Sequence, residues 1–156
     1  MDILPNLKIA TNDEVAPATA VILVQMGCLA IVAAGRSGLM LLGPNFPKGY
    51  NGPGFAADVR GHDVLVIGEN LRVRPSTDPT NWSTQAPDGN SPRLVVSADD
   101  VYIGTQWYPG TTWGYLNIKT GEIGDAPAPR AFCARWSICL ISEEGQEIEI
   151  YVQSDS

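Results

Sequence analysis

One histidine, three cysteines and a scatter of carboxylates are the residues of this 156-residue chain that could do covalent or metal chemistry. His62 lies in Asp58-Val59-Arg60-Gly61-His62-Asp63. A Cys-His or Ser-His nucleophile needs that imidazole within reach of a thiol or hydroxyl and oriented by a third group. No local pattern selects such a partner, and the plainer reading is a loop histidine at the start of a strand. No catalytic residue is assigned. With one histidine and no paired-cysteine motif, a zinc site has too few ligands. Asp99-Asp100 and Asp78 with Asp88 lack the spacing of a calcium loop, and Asp99-Asp100 suits a turn between strands. The glycine-rich Gly49-Tyr50-Asn51-Gly52-Pro53-Gly54 is followed by no helical pattern, which a phosphate loop requires. Asn81-Trp82-Ser83 matches a glycosylation acceptor but comes with no secretory signal. No metal and no cofactor is expected.

The three cysteines, Cys28, Cys133 and Cys139, are too few and odd in number for a disulfide framework. Cys28 reads as a small core residue. Cys133 and Cys139 would face the same way on a strand, too far apart to bridge. A reducing compartment is the simplest inference.

The residues best placed to recognise something are in Val101–Ile118, VYIGTQWYPGTTWGYLNI. With Pro109 and Gly110 as central turn residues, Tyr108 faces Thr111, Gln106 faces Trp113, Gly104 faces Tyr115 and Tyr102 faces Asn117. One face of this hairpin then carries Tyr102, Gln106, Tyr108, Trp113, Tyr115 and Asn117, the predicted binding residues. Aromatic rings with polar tips offer contact area at low entropic cost. The same face could instead be a packed second layer, with Tyr115 covering Gly104. The opposite face, with Val101, Ile103, Trp107, Leu116 and Ile118, is the expected core side.

These residues must be positioned by strands. The chain has 16 glycines and 12 prolines spread along its length, a punctuation that suits short elements and not long helices. Ala18–Ala34 is the most apolar run, but it is short for a spanning helix and is interrupted by Gln25 and Gly27. The residues before it include Asp2, Asp13 and Glu14, unlike a signal peptide. It reads as two strands turning at Gln25-Met26-Gly27-Cys28. Leu39–Leu42 follows Arg36-Ser37-Gly38 as a third strand. Further strands are expected over Asp63–Ile67, Leu71–Arg74, Arg93–Ser97 and Ala131–Ser142, the last with Phe132, Ala134, Trp136, Ile138 and Leu140 on one face. In Glu147–Val152, alternation puts Ile148, Ile150 and Val152 inward and Glu147, Glu149 and Tyr151 outward. Residues 43–54 and 75–92 read as long loops. Residues 1–17 read as an extended N-terminal arm and 18–156 as a single β-rich domain. The expected fold is all-β, an antiparallel sandwich or partly open barrel.

The net charge of -7 makes nucleic acid and anionic membrane poor partners. Arg72 and Arg74 are adjacent in pattern; Arg60, Arg93, Arg130 and Arg135 are scattered. The leading expectation is a non-enzymatic protein acting through protein-protein contacts or self-assembly, such as a subunit of a phage capsid or tail accessory structure. The alternatives are an acidic inhibitor or immunity protein that blocks a basic site, and a hydrolase of unknown substrate. A location in the cytoplasm or in an assembled particle goes with the first. An arm packed on a neighbour would favour assembly; an arm packed on its own domain reopens the alternatives.

Overall fold

The computed structural model describes residues 7–34, 38–56, 61–86, 91–108 and 112–154. Its strands are β1 (Lys8–Thr11), β2 (Ala20–Leu23), β3 (Cys28–Val32), β4 (Leu39–Pro44), β5 (Gly54–Ala56), β6 (Asp63–Gly68), β7 (Leu71–Pro75), β8 (Trp82–Ser83), β9 (Arg93–Val96), β10 (Val101–Gln106), β11 (Trp113–Asn117), β12 (Ile123–Gly124), β13 (Ala131–Cys133), β14 (Trp136–Ile141) and β15 (Glu147–Gln153). They form three antiparallel sheets, ordered β1-β6-β2-β3-β4-β5, β12-β11-β10-β9-β13-β8 and β15-β14-β7. The fold is therefore all-β and sandwich-like, without closing into a barrel. Among the described residues no helix is long and apolar enough to cross a membrane.

The apolar run becomes β2 and β3, joined by a turn over Val24–Gly27. Gly27 has φ +72, a left-handed conformation that glycine adopts without the Cβ penalty. With β4 these strands form the expected meander, whose β3–β4 turn residues 35–37 lie outside the described residues. Lys8–Thr11 is the edge strand of the same sheet, paired with β6 from Lys8 opposite Val66 to Thr11 opposite Asp63. The described part of the arm thus packs on its own chain.

The main core lies where the three sheets meet. Ile31, Met40 and Phe55 come from the first sheet, Leu94, Ile103 and Leu116 from the second, Trp136 and Ile138 from the third. A parallel bridge between Phe55 and Trp107 links the first two sheets. The other face of the first sheet buries Val21, Leu23, Ala30, Leu41 and Val64 beneath Val15, Met26, Phe46 and Tyr50. The turn after β11 presses on the first sheet, where Ala34 N–H donates to the Gly121 carbonyl at 2.8 Å. A Cβ at Gly121 would come within 2.6 Å of the Ala18 nitrogen, so the close approach needs glycine there.

Three expected elements are corrected. Ala131–Ser142 is two strands in different sheets, broken at Ala134-Arg135. Phe132 therefore packs on the outer face of the second sheet, while Cys133, Trp136 and Ile138 enter the main core. The 75–92 stretch contains a 3-10 turn (Pro79–Asn81) and the strand β8, whose Trp82 is opposite Cys133 and packs against the core. In β15 a bulge sets Tyr151 opposite Ile138 but Glu149 opposite Cys139, leaving Ile150 as the extra residue. The inserted residue reverses the alternation beyond it. Tyr151 packs inward on Trp136, with ring centroids 5.5 Å apart, and Val152 is exposed.

Candidate functional site

The hairpin has the expected register: Tyr102 opposite Asn117, Gly104 opposite Tyr115, Gln106 opposite Trp113. Its turn residues Pro109, Gly110 and Thr111 lie outside the described residues. Residues directly opposite in an antiparallel ladder share a face, so Tyr102, Gln106, Trp113, Tyr115 and Asn117 stand together, and Val101, Ile103, Trp107, Leu116 and Ile118 face the main core.

The shared face is covered. Tyr102 and Tyr115 are each only 7% exposed and cluster with Val95, Phe132 and Ala126, with Trp113 packed beside them. The connector after β12 lies over them, held by the Ser97 hydroxyl donating to the Pro127 carbonyl and by Ala98 N–H donating to the same oxygen at 3.3 Å. A Cβ at Gly104 would be 3.0 Å from the Tyr115 ring and 3.1 Å from the Trp113 ring, so both rings cover that glycine. Arg130 stacks on Tyr115 at 5.7 Å. Gln106 is buried and donates to the Pro53 carbonyl at 3.4 Å. Tyr108 parts from the other five. The strand ends at Gln106, and the Tyr108 hydroxyl donates to the Gly52 carbonyl at 2.7 Å, its ring edge-on to Tyr50.

Polar groups at the end of this face are tied to each other. Tyr102 donates to Asp99 at 3.0 Å, and the buried hydroxyl beside a carboxylate has its pKa raised, chiefly by desolvation. Asp100 accepts from Val101 N–H at 2.9 Å and from Asn117 at 3.1 Å, with Lys119 3.4 Å away. The Val101 bond is the first cause holding its carboxyl below the usual range. Asp99-Asp100 is the β9–β10 turn expected from sequence, and its carboxylates serve that turn.

The thiols are quiet. Cys28, Cys133 and Cys139 are free and buried, and Cys133 donates to the Arg135 carbonyl at 3.0 Å. Burial raises the Cys28 pKa, which disfavours the thiolate a nucleophile needs. His62 is held through its backbone: its N–H donates to Asn12 Oδ1 at 3.1 Å and its carbonyl accepts from Asn12 N–H at 3.0 Å. Among the described residues no cluster of three His, Cys, Asp or Glu side chains could hold a metal ion.

One open site is not identified by the sequence pattern. Between the first sheet and β15 lies an apolar cleft of about 610 Å³, lined by Ile22, Leu29, Leu42, Ile67, Ile150 and Val152 among others, with Tyr151 as the one residue with a polar side chain among the described lining residues. Register extends it: Ile9 is opposite Leu65, Leu65 opposite Ile22, and Ile22 opposite Leu29. This cross-strand row shares its face with Ile31 of the main core, and the three-stranded third sheet leaves it partly uncovered. Ile9 is 67% exposed and Val152 54%. Burial lifts the Tyr151 pKa to about 12, and its hydroxyl donates to Gln153 Oε1 at 2.6 Å. Among the described residues β15 pairs only with β14, so its other edge borders the cleft unpaired. The signal available in the sequence was the coincidence of apolar Ile9, Leu65, Ile22 and Leu29 on separate strands, which only the pairing aligns. No protein-family profile matches the chain, and no curated protein or solved structure shows a significant match to it.

Proposed function

We propose that this protein is a non-enzymatic interaction protein whose contacts are made through the apolar cleft beside β15. In its most concrete form it is a subunit of a larger particle, such as a phage capsid or tail accessory protein. The observation that carries the reading is the cross-strand row Ile9–Leu65–Ile22–Leu29, which continues the main core onto the surface. Contiguous apolar surface rimmed by polar residues marks interaction sites. Lys8–Thr11 is paired within its own sheet, so the arm does not support assembly; this reading rests on the cleft alone, and the alternatives stay open beside it.

Light scattering over a concentration series tests this with wild type, Ile9→Lys and Val152→Lys. Both side chains are exposed, so each substitution is expected to change stability by no more than about 0.5 kcal/mol. Wild type is expected to assemble, and each lysine to weaken that assembly at least tenfold. A wild type that stays monomeric at every concentration, with no shell component copurifying, sinks the particle reading.

A second reading has its own support. Glu143, Glu144, Glu147 and Glu149 are all exposed around the last hairpin, and the net charge is -7. An acidic inhibitor or immunity protein would present such an edge to a basic active site, with electrostatics speeding the encounter. Tight, salt-sensitive binding to one basic enzyme, lost on changing those glutamates to glutamine and retained by Ile9→Lys, would favour it over the first.

A further inference from the structure

The outer face of the second sheet also holds a buried charge. Arg93 opens β9 opposite Gly104, on the same face as Val95 and Tyr102. It is 5% exposed. Its described hydrogen bonds both leave from Nη1 and end on neutral carbonyls, Ser91 at 3.2 Å and Pro92 at 3.4 Å. Among the described residues the ion pairs are Arg74 with Glu147 and Lys119 with Asp100, and no described carboxylate pairs with Arg93. A guanidinium has five N–H donors in a planar fork. Isolated buried charge is strongly unfavourable unless paired, and desolvation pulls the Arg93 pKa down accordingly.

Arg93 lines a pocket of about 280 Å³. Phe132 helps to form its wall, and Ser83 and Gln85 bring a hydroxyl and an amide. The Ser83 oxygen accepts from Gln85 N–H at 3.1 Å, which leaves its own hydrogen available to donate. The nearby Asp78 is already engaged: it accepts from Thr80 N–H at 3.0 Å and from the Thr80 hydroxyl at 2.8 Å. The pocket therefore offers one cation, neutral donors and aromatic surface.

We propose that this pocket binds a carboxylate, held by the Arg93 guanidinium and seated against Phe132. A planar carboxylate matches the guanidinium fork, and Arg makes such contacts bidentate. One positive charge balances a monoanion; a dianion would leave net negative charge in the pocket. The overall charge of -7 opposes anions at long range, but fields are screened beyond about 8 Å at physiological salt, so the site works by contact. This site is on a different sheet from the apolar cleft, and neither proposal depends on the other.

Calorimetry and thermal melting at pH 7 and constant ionic strength test it, with sodium benzoate, sodium acetate and sodium chloride. A second arm compares the tripeptide Ala-Ala-Phe with its C-terminal amide. Benzoate or the free-acid tripeptide is expected to bind and raise Tm above the chloride control, with the amide at least tenfold weaker. Tighter binding of benzoate points to a small organic acid, tighter binding of the tripeptide to a peptide C-terminus. Arg93→Met is expected to abolish binding and, in ligand-free protein, to leave Tm equal or higher because an unpaired charge is gone. Arg93→Lys is expected to bind about tenfold more weakly. The proposal is overturned if no carboxylate exceeds chloride, or if Arg93→Met or Arg93→Lys binds as well as wild type. It is also overturned if Arg93→Met and Asp88→Asn lower Tm alike while wild type ignores benzoate, since the chain would then supply its own carboxylate.

Discussion

Phe55→Ala is expected to lower stability by about 3–5 kcal/mol, the range for removing a large buried aromatic side chain. Small domains are stable by about 5–15 kcal/mol in total, so the variant would retain a fraction of that. At this chain length the loss corresponds to a fall in Tm of roughly 6–20 °C. The size of the effect follows from position. Phe55 is fully buried and opposite Met40 in the first sheet, and its ring lies 5.1 Å from that of Trp107 in the second. Its carbonyl accepts from Tyr108 N–H at 2.9 Å. The space above Gly114 is also filled by this ring and by Trp107. Alanine would keep the backbone bond but leave the junction hollow. Urea melts of wild type and variant measure the difference; a loss below 1 kcal/mol would mean that the sheets hold together without this contact.

Trp136→Ala should cost a similar amount, about 3–5 kcal/mol, by a different route. Trp136 anchors the third sheet: its indole N–H donates to the Pro92 carbonyl at 3.2 Å, and its ring covers Tyr151. The first two sheets keep their ladders in this variant. Tyr151 supplies a local readout, because burial holds its pKa at about 12 against an ordinary value of about 10. A raised folded-state pKa contributes stability that is present below about pH 10 and lost as pH rises through about 12. In Trp136→Ala the phenol should ionise closer to 10, followed by tyrosinate absorbance, and the alkaline loss of stability should shrink. A phenol that still titrates near 12 would show that Trp136 does not shield it.

Local pattern carried most of the strand assignment. Val21, Ile22, Ile31 and Val32 announce strands by branching at Cβ, and Pro109-Gly110 between two alternating runs located the hairpin well enough to give its register. It failed where the third dimension decides. Nothing in Ala131–Ser142 marks Ala134-Arg135 as a change of sheet, because both halves alternate alike. The bulge at Ile150 is equally silent, and it turned Tyr151 inward. The aromatic face was legible as a face, but its cover, Ala126 and the connector around it, is distant in sequence. Arg93 was grouped with scattered arginines although Arg93 and Val95 necessarily share a side of β9. It shares that side with Ser83 and Phe132, which only the β8–β13–β9 pairing brings beside it.

The first sheet is drawn wholly from residues 8–68, and the other two take all their strands from later in the chain. A nascent chain can therefore pair β1 with β6 before β9 to β15 have been made. Closing that pair joins residues more than fifty apart, a slow step for a chain to take. Once it is closed, Ile31, Met40 and Phe55 face water until the second and third sheets arrive to cover them. The half-made protein thus carries a finished sheet with an apolar side bare, and the interval before Leu94, Ile103 and Leu116 reach it is when this chain is most exposed to aggregation during synthesis.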